Sequence, residues 1–271
     1  MFALNHNHGD ILEFLNKNKT GAEFQKSLLS AHSGRTPVDV TRADIRAYAA
    51  FLVSDSGAKP ATVNLALSAL KFLYSEVLEK DLFQKIRRPK KEQKLPTILT
   101  RDEIKNMLDH TSNKKHKLLI EILYGSGLRV SEAVGLQRED INLEDKFSIV
   151  RKGKGNKDRQ IMISSRARAD LKHVLHKRDD DNPFVFNSAT GHITARQAQR
   201  IVKEAAQNAG IKKRVFCHAL RASFATHLLN SGVDLRHIQV LLGHERISTT
   251  QIYTKVSDEK LRGIKSPLDS L

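Results

Sequence analysis

Through residues 10 to 83, apolar residues recur at the three-and-four spacing that lines up one face of a helix. ILEFL, EFQKSLLSAH, TRADIRAYAAFLVSDSG and PATVNLALSALKFLYSEVLEK follow one another, with Gly, Pro and Thr as punctuation. In the last of these, Val63, Leu67, Leu70, Tyr74 and Val77 share a face. Pro60 suits a first helical turn and Thr41 an N-cap. The span predicts a small helical bundle.

The pattern then breaks. KIRRPKKEQKLPTILT, residues 85–100, carries two prolines and six basic residues, Lys85, Arg87, Arg88, Lys90, Lys91 and Lys94, with little apolar content before Leu95. Prolines disfavour helix there, so a linker is expected over residues 87–97, between a helical domain over 1–86 and a second domain over 98–271. A charge run is usually a solvated surface. In a basic chain, these six side chains are equally suited to following a phosphate backbone.

Beyond the linker, Thr100 and Glu103 form a capping box, KLLIEILYGSG predicts a buried helix ending at Gly125 or Gly127, and RVSEAVGL a short helix. KFSIVRKGKGNKDRQIMI alternates on both sides of a Gly-rich centre, as a hairpin does. SRARADLKHVLHK, ARQAQRIVKEAAQNAG, HALRASFATHLLNSG and VDLRHIQVLLGH predict four more helices. The fold class is therefore mainly α, with an α+β second half built around one small antiparallel sheet.

Charge narrows the partner. The 271 residues include 46 Lys and Arg against 30 Asp and Glu, a net charge of +16 that favours a polyanion, of which nucleic acid is the commonest. No apolar run approaches the roughly 20 residues of a membrane span, and MFALNHNHGD lacks the charge and apolar stretch of a signal peptide. A soluble, cytoplasmic, nucleoid-associated protein without membrane contact is expected. Cys217 is the one cysteine and cannot form an internal disulfide. GKGNK is too short and wrongly placed for a Walker loop, so no nucleotide cofactor is expected. His6, His8, His173, His176 and His237 read as terminal or exposed helix residues rather than metal ligands.

Four segments hold side chains suited to a phosphodiester: GLRVSE with Arg129 and Glu132, RKGKGNKDR with Lys154, HALR with His218 and Arg221, and LLGHERISTTQIYT with His244 and Tyr253. Each is weak alone. The spacing of three puts His218 and Arg221 on one helical face, and Gly243 ends a helix just before His244. Two guanidiniums, two imidazoles, a lysine and a phenol come without a carboxylate cluster to hold magnesium, so no metal is expected. Tyr48, Tyr74 and Tyr124 lie inside apolar helical patterns and read as core or partly buried aromatics.

GLRVSE, GKGNK, HALR, LLGH and QIYT, in this order and at these separations, resemble the tyrosine recombinase (phage integrase) family, and most its compact Xer-type members. VTRADIRAYAAFL through ATVNLALSALKFLYSEV resembles that family's N-terminal helical core-binding (SAM-like) domain. ILEFLNKNKTGAEFQKSLLSAH matches it less well, and no further domain precedes residue 10, so simple DNA sites are expected. The resemblance implies a C-shaped clamp on double-stranded DNA. It implies that Tyr253 is the nucleophile, forming a 3′-phosphotyrosine and freeing a 5′-hydroxyl. Arg129 and Arg221 would grip the phosphate oxygens, and His244 would donate to the same oxygens. His218 would take the phenolic proton, Lys154 would protonate the leaving 5′-oxygen, and Glu132 would hold Arg129 or its neighbours.

Bond energy kept in the phosphotyrosine allows resealing without ATP or metal. The expected assembly is a tetramer on two recombination sites, of identical chains or with a paralogous recombinase, and the Leu261, Ile264, Leu268, Leu271 pattern of the tail suits docking on a neighbour. Chromosome or plasmid dimer resolution is the expected role. Integration of a mobile element, a non-cutting DNA-binding relative and a monomeric type IB topoisomerase are the alternatives.

Overall fold

Thr41 opens the first long helix by a reciprocal cap: its hydroxyl accepts from the Asp44 N–H, and the Asp44 carboxylate accepts the Thr41 N–H at 2.8 Å. The computed structural model describes residues 29–90, 95–151 and 158–256, in two units divided between Lys94 and Leu95. In the first unit, residues 29–33 are helical, α1 spans Arg42–Ser54 and α2 spans Pro60–Lys71, with Pro60 in its first turn. Ile45, Tyr48, Val63, Leu67, Leu70, Leu73 and Tyr74 form the core.

The segment after Lys71 departs from the single helix its periodicity predicts. Phe72–Val77 is a π-helical turn, with the Leu78 N–H donating to Leu73 O at 2.9 Å. The wider turn coincides with burial of two consecutive residues, Leu73 and Tyr74, against the same core. Further on, Asn64 Nδ2 donates to Pro89 O at 2.9 Å and Arg88 Nη1 to Ser68 Oγ at 2.9 Å, which fastens the start of the basic segment to α2.

The second unit begins with α3 (Arg101–Asp109), capped by Thr100 and Glu103 as predicted, followed by α4 (Lys114–Gly125) and α5 (Val130–Val134). Strands β1 (Phe147–Val150) and β2 (Arg159–Met162) pair antiparallel, with Phe147 opposite Met162 and Val150 opposite Arg159, as the alternation on both sides of GKGNK requires. Then come α6 (Ser165–His176), a two-residue pair of β3 (Asn187–Ser188) and β4 (Gly191–His192) that sequence pattern did not predict, and α7 (Ala195–Asn208). The chain continues through α8 (Cys217–Asn230), α9 (Leu235–Leu242), α10 (Ile247–Thr250) and a 3-10 turn, Gln251–Val256.

Helix α8 organises this unit because its residues are buried on nearly every side. Ala219 and Leu220 join an apolar cluster built from α3, α4, α6 and α7. Ala222, Phe224 and Ala225 join a second cluster with Ile238, Leu242 and Tyr253. Arg221 therefore sits between two apolar clusters and must find polar partners there. Gly127, at φ 59°, lets the chain pass close to α8, since a Cβ at that position would lie 2.4 Å from Phe224 Cδ1. No helix among the described residues is long and apolar enough to cross a membrane.

Candidate active site

Arg221 is 2% exposed, and its guanidinium donates to two backbone carbonyls and meets an imidazole. Nη1 donates to Gly127 O at 2.6 Å and Nη2 to Leu242 O at 2.7 Å, while Nη2 also lies 3.0 Å from His244 Nε2. These carbonyls are available because α4 and α9 both end there, leaving acceptors that a helix cannot satisfy internally. Gly243 takes φ 63°, closes α9 and swings His244 back toward Arg221.

Arg129 approaches the same turn from the start of α5. Its Nη2 donates to Gly243 O at 3.1 Å and its Nη1 to Glu132 Oε1 at 2.7 Å, while its own N–H is capped by Glu132 Oε2 at 2.8 Å. Glu132 is buried beneath three arginines: Arg129, Arg159 at 2.7 Å through both Nη atoms, and Arg221 at 3.9 Å. Burial pushes this carboxyl up, but the hydrogen bonds and charges of Arg159 and Arg129 outweigh it and hold the pKa at about 2. Glu132 is thus an anion at any working pH, and it offsets part of the positive charge that would otherwise repel itself.

Tyr253 is 3% exposed, packed in the apolar cluster with Leu242 and Phe224, and its ring stacks on His244 with centroids 6.4 Å apart. Burial raises the phenol pKa, and the Arg221 and Arg129 cations pull it back down. Tyr253 is thus a core aromatic whose phenol also lies in the field of two guanidiniums. Tyr48 and Tyr74 are buried and Tyr124 is half-buried, as expected, with the Tyr124 hydroxyl 2.8 Å from His227 Nδ1.

The two imidazoles differ in setting. His244 is half-buried, and burial with the Arg221, Arg129, His218 and Arg159 charges lowers it to about 4, so the ring is neutral at pH 7. Its Nδ1 lies 2.9 Å from the buried Thr250 hydroxyl, and its carbonyl accepts from Gln239 Nε2 at 2.8 Å. His218 is exposed at the start of α8; desolvation of its ring, then Arg221 and Arg129, lower its pKa as well. It too is neutral at pH 7 and able to accept a proton.

Arg129, Arg221, His244, Tyr253 and Glu132 thus converge, and His218 feels the same two guanidiniums. Lys154 lies outside the described residues, as do Lys91 and Lys94. Lys85, Arg87, Arg88 and Lys90 are exposed on the first unit. Arg159, Thr250 and Gln239 were not singled out from sequence. Arg159 opens β2, two positions after GKGNK in the sequence and among several basic residues, with nothing local to distinguish it. Also unforeseen is a groove of about 1040 Å³ along α7, lined by Arg196, Arg200, Lys203, Lys212, Lys213 and Arg214. Among the described residues, no group of three or more His, Cys, Asp or Glu converges as metal ligands would.

Residues 97–260 match the sequence model described as the phage integrase family, and residues 10–84 match that of the phage integrase N-terminal SAM-like domain. The tyrosine recombinase XerA of Pyrococcus horikoshii is 42% identical over 212 residues, which cover 76% of this chain and 73% of that protein. A solved structure of the XerH site-specific recombinase bound to palindromic difH substrate, a post-cleavage complex, matches at a TM-score of 0.68 and 26% identity, covering 86% of this chain and 74% of that one. The Tn1549 transposon integrase in complex with a circular intermediate DNA matches at 0.70 over 94% of this chain and 98% of that one; at 20% identity it speaks for the fold alone.

Proposed function

This chain belongs to the phage integrase family of tyrosine recombinases, and on that footing we propose that it cleaves and rejoins strands of double-stranded DNA through a covalent 3′-phosphotyrosine at Tyr253. The observation that carries the reading is the convergence at one place of Arg221, Arg129 and His244, with the Tyr253 ring stacked on the imidazole.

The Tyr253 oxygen attacks the phosphorus, its proton passes to His218, and the bond from phosphorus to the 5′-oxygen breaks. Lys154, the lysine between the two glycines of GKGNK, gives the departing 5′-oxygen its proton. Arg129 and Arg221 bind the nonbridging oxygens; both stay charged, since burial and the Arg129 cation bring Arg221 down only to about 10, with Glu132 holding it up. His244 supplies a further hydrogen bond. Donors preorganised for the charge that grows on these oxygens are each worth about 3 kcal/mol, or roughly a hundredfold in rate. Glu132 holds Arg129 in position and takes no part in proton transfer.

The reverse attack by the 5′-hydroxyl of another strand completes exchange, with no metal or ATP required. Four chains acting on two sites would bring the strands together, and chromosome or plasmid dimer resolution is the role we assign. The exposed basic side chains of α7 and of Lys85, Arg87, Arg88 and Lys90 would hold phosphates and set register rather than read bases.

The test is a suicide duplex carrying the sequence that this protein selects from a random pool, incubated without magnesium. A covalent adduct should form and be abolished by Tyr253→Phe, a change that keeps the packing of the ring. An adduct undiminished in that variant would overturn the reading.

A further inference from the structure

The contacts of His244 define which of its nitrogens carries the proton. Arg221 has no acceptor, so the Nη2 group 3.0 Å from Nε2 donates to it, and Nε2 presents a lone pair. In a neutral ring the proton is then on Nδ1, and it is donated to Thr250 Oγ1 at 2.9 Å. This is the wrong tautomer for the role assigned to His244 above, in which Nε2 donates to a phosphate oxygen.

We propose that Thr250 is the positioning residue that lets neutral His244 exchange tautomers when the phosphate arrives. A phosphate oxygen replaces Nε2 as acceptor of the Arg221 Nη2 proton, and Nε2, now facing that oxygen, takes up a proton while Nδ1 gives one up. The Thr250 hydroxyl rotates from accepting the Nδ1 proton to donating its own to the Nδ1 lone pair. The count balances, since the ring holds one proton before and after: solvent water at the half-buried imidazole takes the Nδ1 proton and delivers one to Nε2. A carbonyl in this place would only accept and would pin the proton on Nδ1. An apolar side chain would leave Nδ1 unpaired.

Three features of the fold support this. Thr250 is completely buried, so water does not compete for its hydroxyl. It closes α10 and precedes Tyr253 by three residues, so the same hydroxyl ties the imidazole to the segment that carries the phenol. The charged and titratable groups facing the ring are Arg221 and His218 from α8, Arg129 from the start of α5, Arg159 from β2 and Tyr253 from the 3-10 turn. The arginines oppose a second proton on the ring, which favours exchange of tautomer over protonation.

The inference rests on the cleavage reading, and the experiment separates the two. Single-turnover cleavage of the suicide duplex is measured from pH 5.5 to 9 for the full chain, Thr250→Val and Thr250→Ser. Thr250→Val should cleave about ten- to a hundredfold more slowly at neutral pH, the cost of an unpaired buried ring nitrogen. Thr250→Ser should restore the rate and pH profile of the parent chain.

Equal rates and profiles for Val and the parent chain would overturn the inference. Failure of the parent chain to form an adduct would instead overturn the cleavage reading. Should Thr250→Val not fold, histidine nitrogen NMR of Tyr253→Phe decides, with the His244 signals assigned by His244→Gln. The Nδ1–H form is expected for the free chain and the Nε2–H form on the duplex; a bound ring that keeps Nδ1–H or is doubly protonated contradicts the exchange.

Discussion

Arg159 meets Glu132 fork to fork: Nη1 and Nη2 of the guanidinium each lie 2.7 Å from a different carboxylate oxygen. Both side chains are largely buried, and Arg159 Nε also reaches Leu241 O at 3.3 Å. The β2 strand is thereby fastened to the last turn of α9, just ahead of His244. One carboxylate aligns Arg129 and Arg159, and it also lies within ion-pair distance of Arg221.

Removing one side of that pair should therefore be costly. Arg159→Ala is expected to lose up to about 3 kcal/mol, short of the cost of a wholly unpaired buried charge because Arg129 still meets the carboxylate. Arg159→Lys should recover only part, because an ammonium does not match the two carboxylate oxygens. Urea unfolding of the three proteins checks this, and equal stability of Lys and Arg would show that the fork geometry is unimportant.

The same carboxylate makes stability depend on acid pH. Its folded pKa, about 2, lies below the ordinary value of 4.5, so its contribution is present above pH 4.5 and is lost as pH falls toward 2. The full contribution is about 3 kcal/mol. The stability gap between the parent chain and Glu132→Gln should shrink steadily over that window. A gap unchanged between pH 6 and 2.5 would contradict the assignment.

Glu121 has the opposite sign. Burial, followed by Asp170 through its hydrogen bond and charge, raises this carboxyl to about 7 against the pull of Arg166. Its stabilising protonated form is fully present below pH 4.5 and is lost as pH rises through 7. Glu121→Gln should therefore gain stability relative to the parent at pH 8, by about 1–3 kcal/mol, and gain little at pH 4. Melting temperatures at the two pH values measure it.

Gly127 and Gly243 should tolerate no side chain, for related reasons. Each has positive φ, and an added Cβ would meet Phe224 Cδ1 at 2.4 Å or Arg159 Cδ at 2.8 Å respectively. Gly127→Ala meets a packed ring and is expected to destabilise by about 2–3 kcal/mol. Gly243→Ala meets a more flexible side chain but displaces the Arg159 clamp, so it should lose cleavage more than it loses stability. Paired denaturation and adduct assays separate the two effects.

The helices, the hairpin and the capping boxes were legible because they follow from local rules: periodicity, turn residues and side chains that cap their own backbone. Arg129, His218, Arg221, His244 and Tyr253 could be picked out as candidates, because the five motifs come in a fixed order along the chain. The π-turn at Phe72–Val77 was not legible, since it accompanies the burial of Leu73 and Tyr74 against distant residues rather than any local signal.

Arg159 and Thr250 were hidden for the same reason. One is separated from Glu132 by 27 positions and the other touches His244 through a hydroxyl that looks like any turn threonine. What the sequence alone determined is which chemical groups are available and which helices carry them, because helix formation and capping act over a few residues. Only the tertiary structure decided how those groups are wired. It buries Arg221 between two clusters, puts one carboxylate beneath three cations and assigns the proton on His244, since desolvation and charge pairing depend on neighbours far away in the chain.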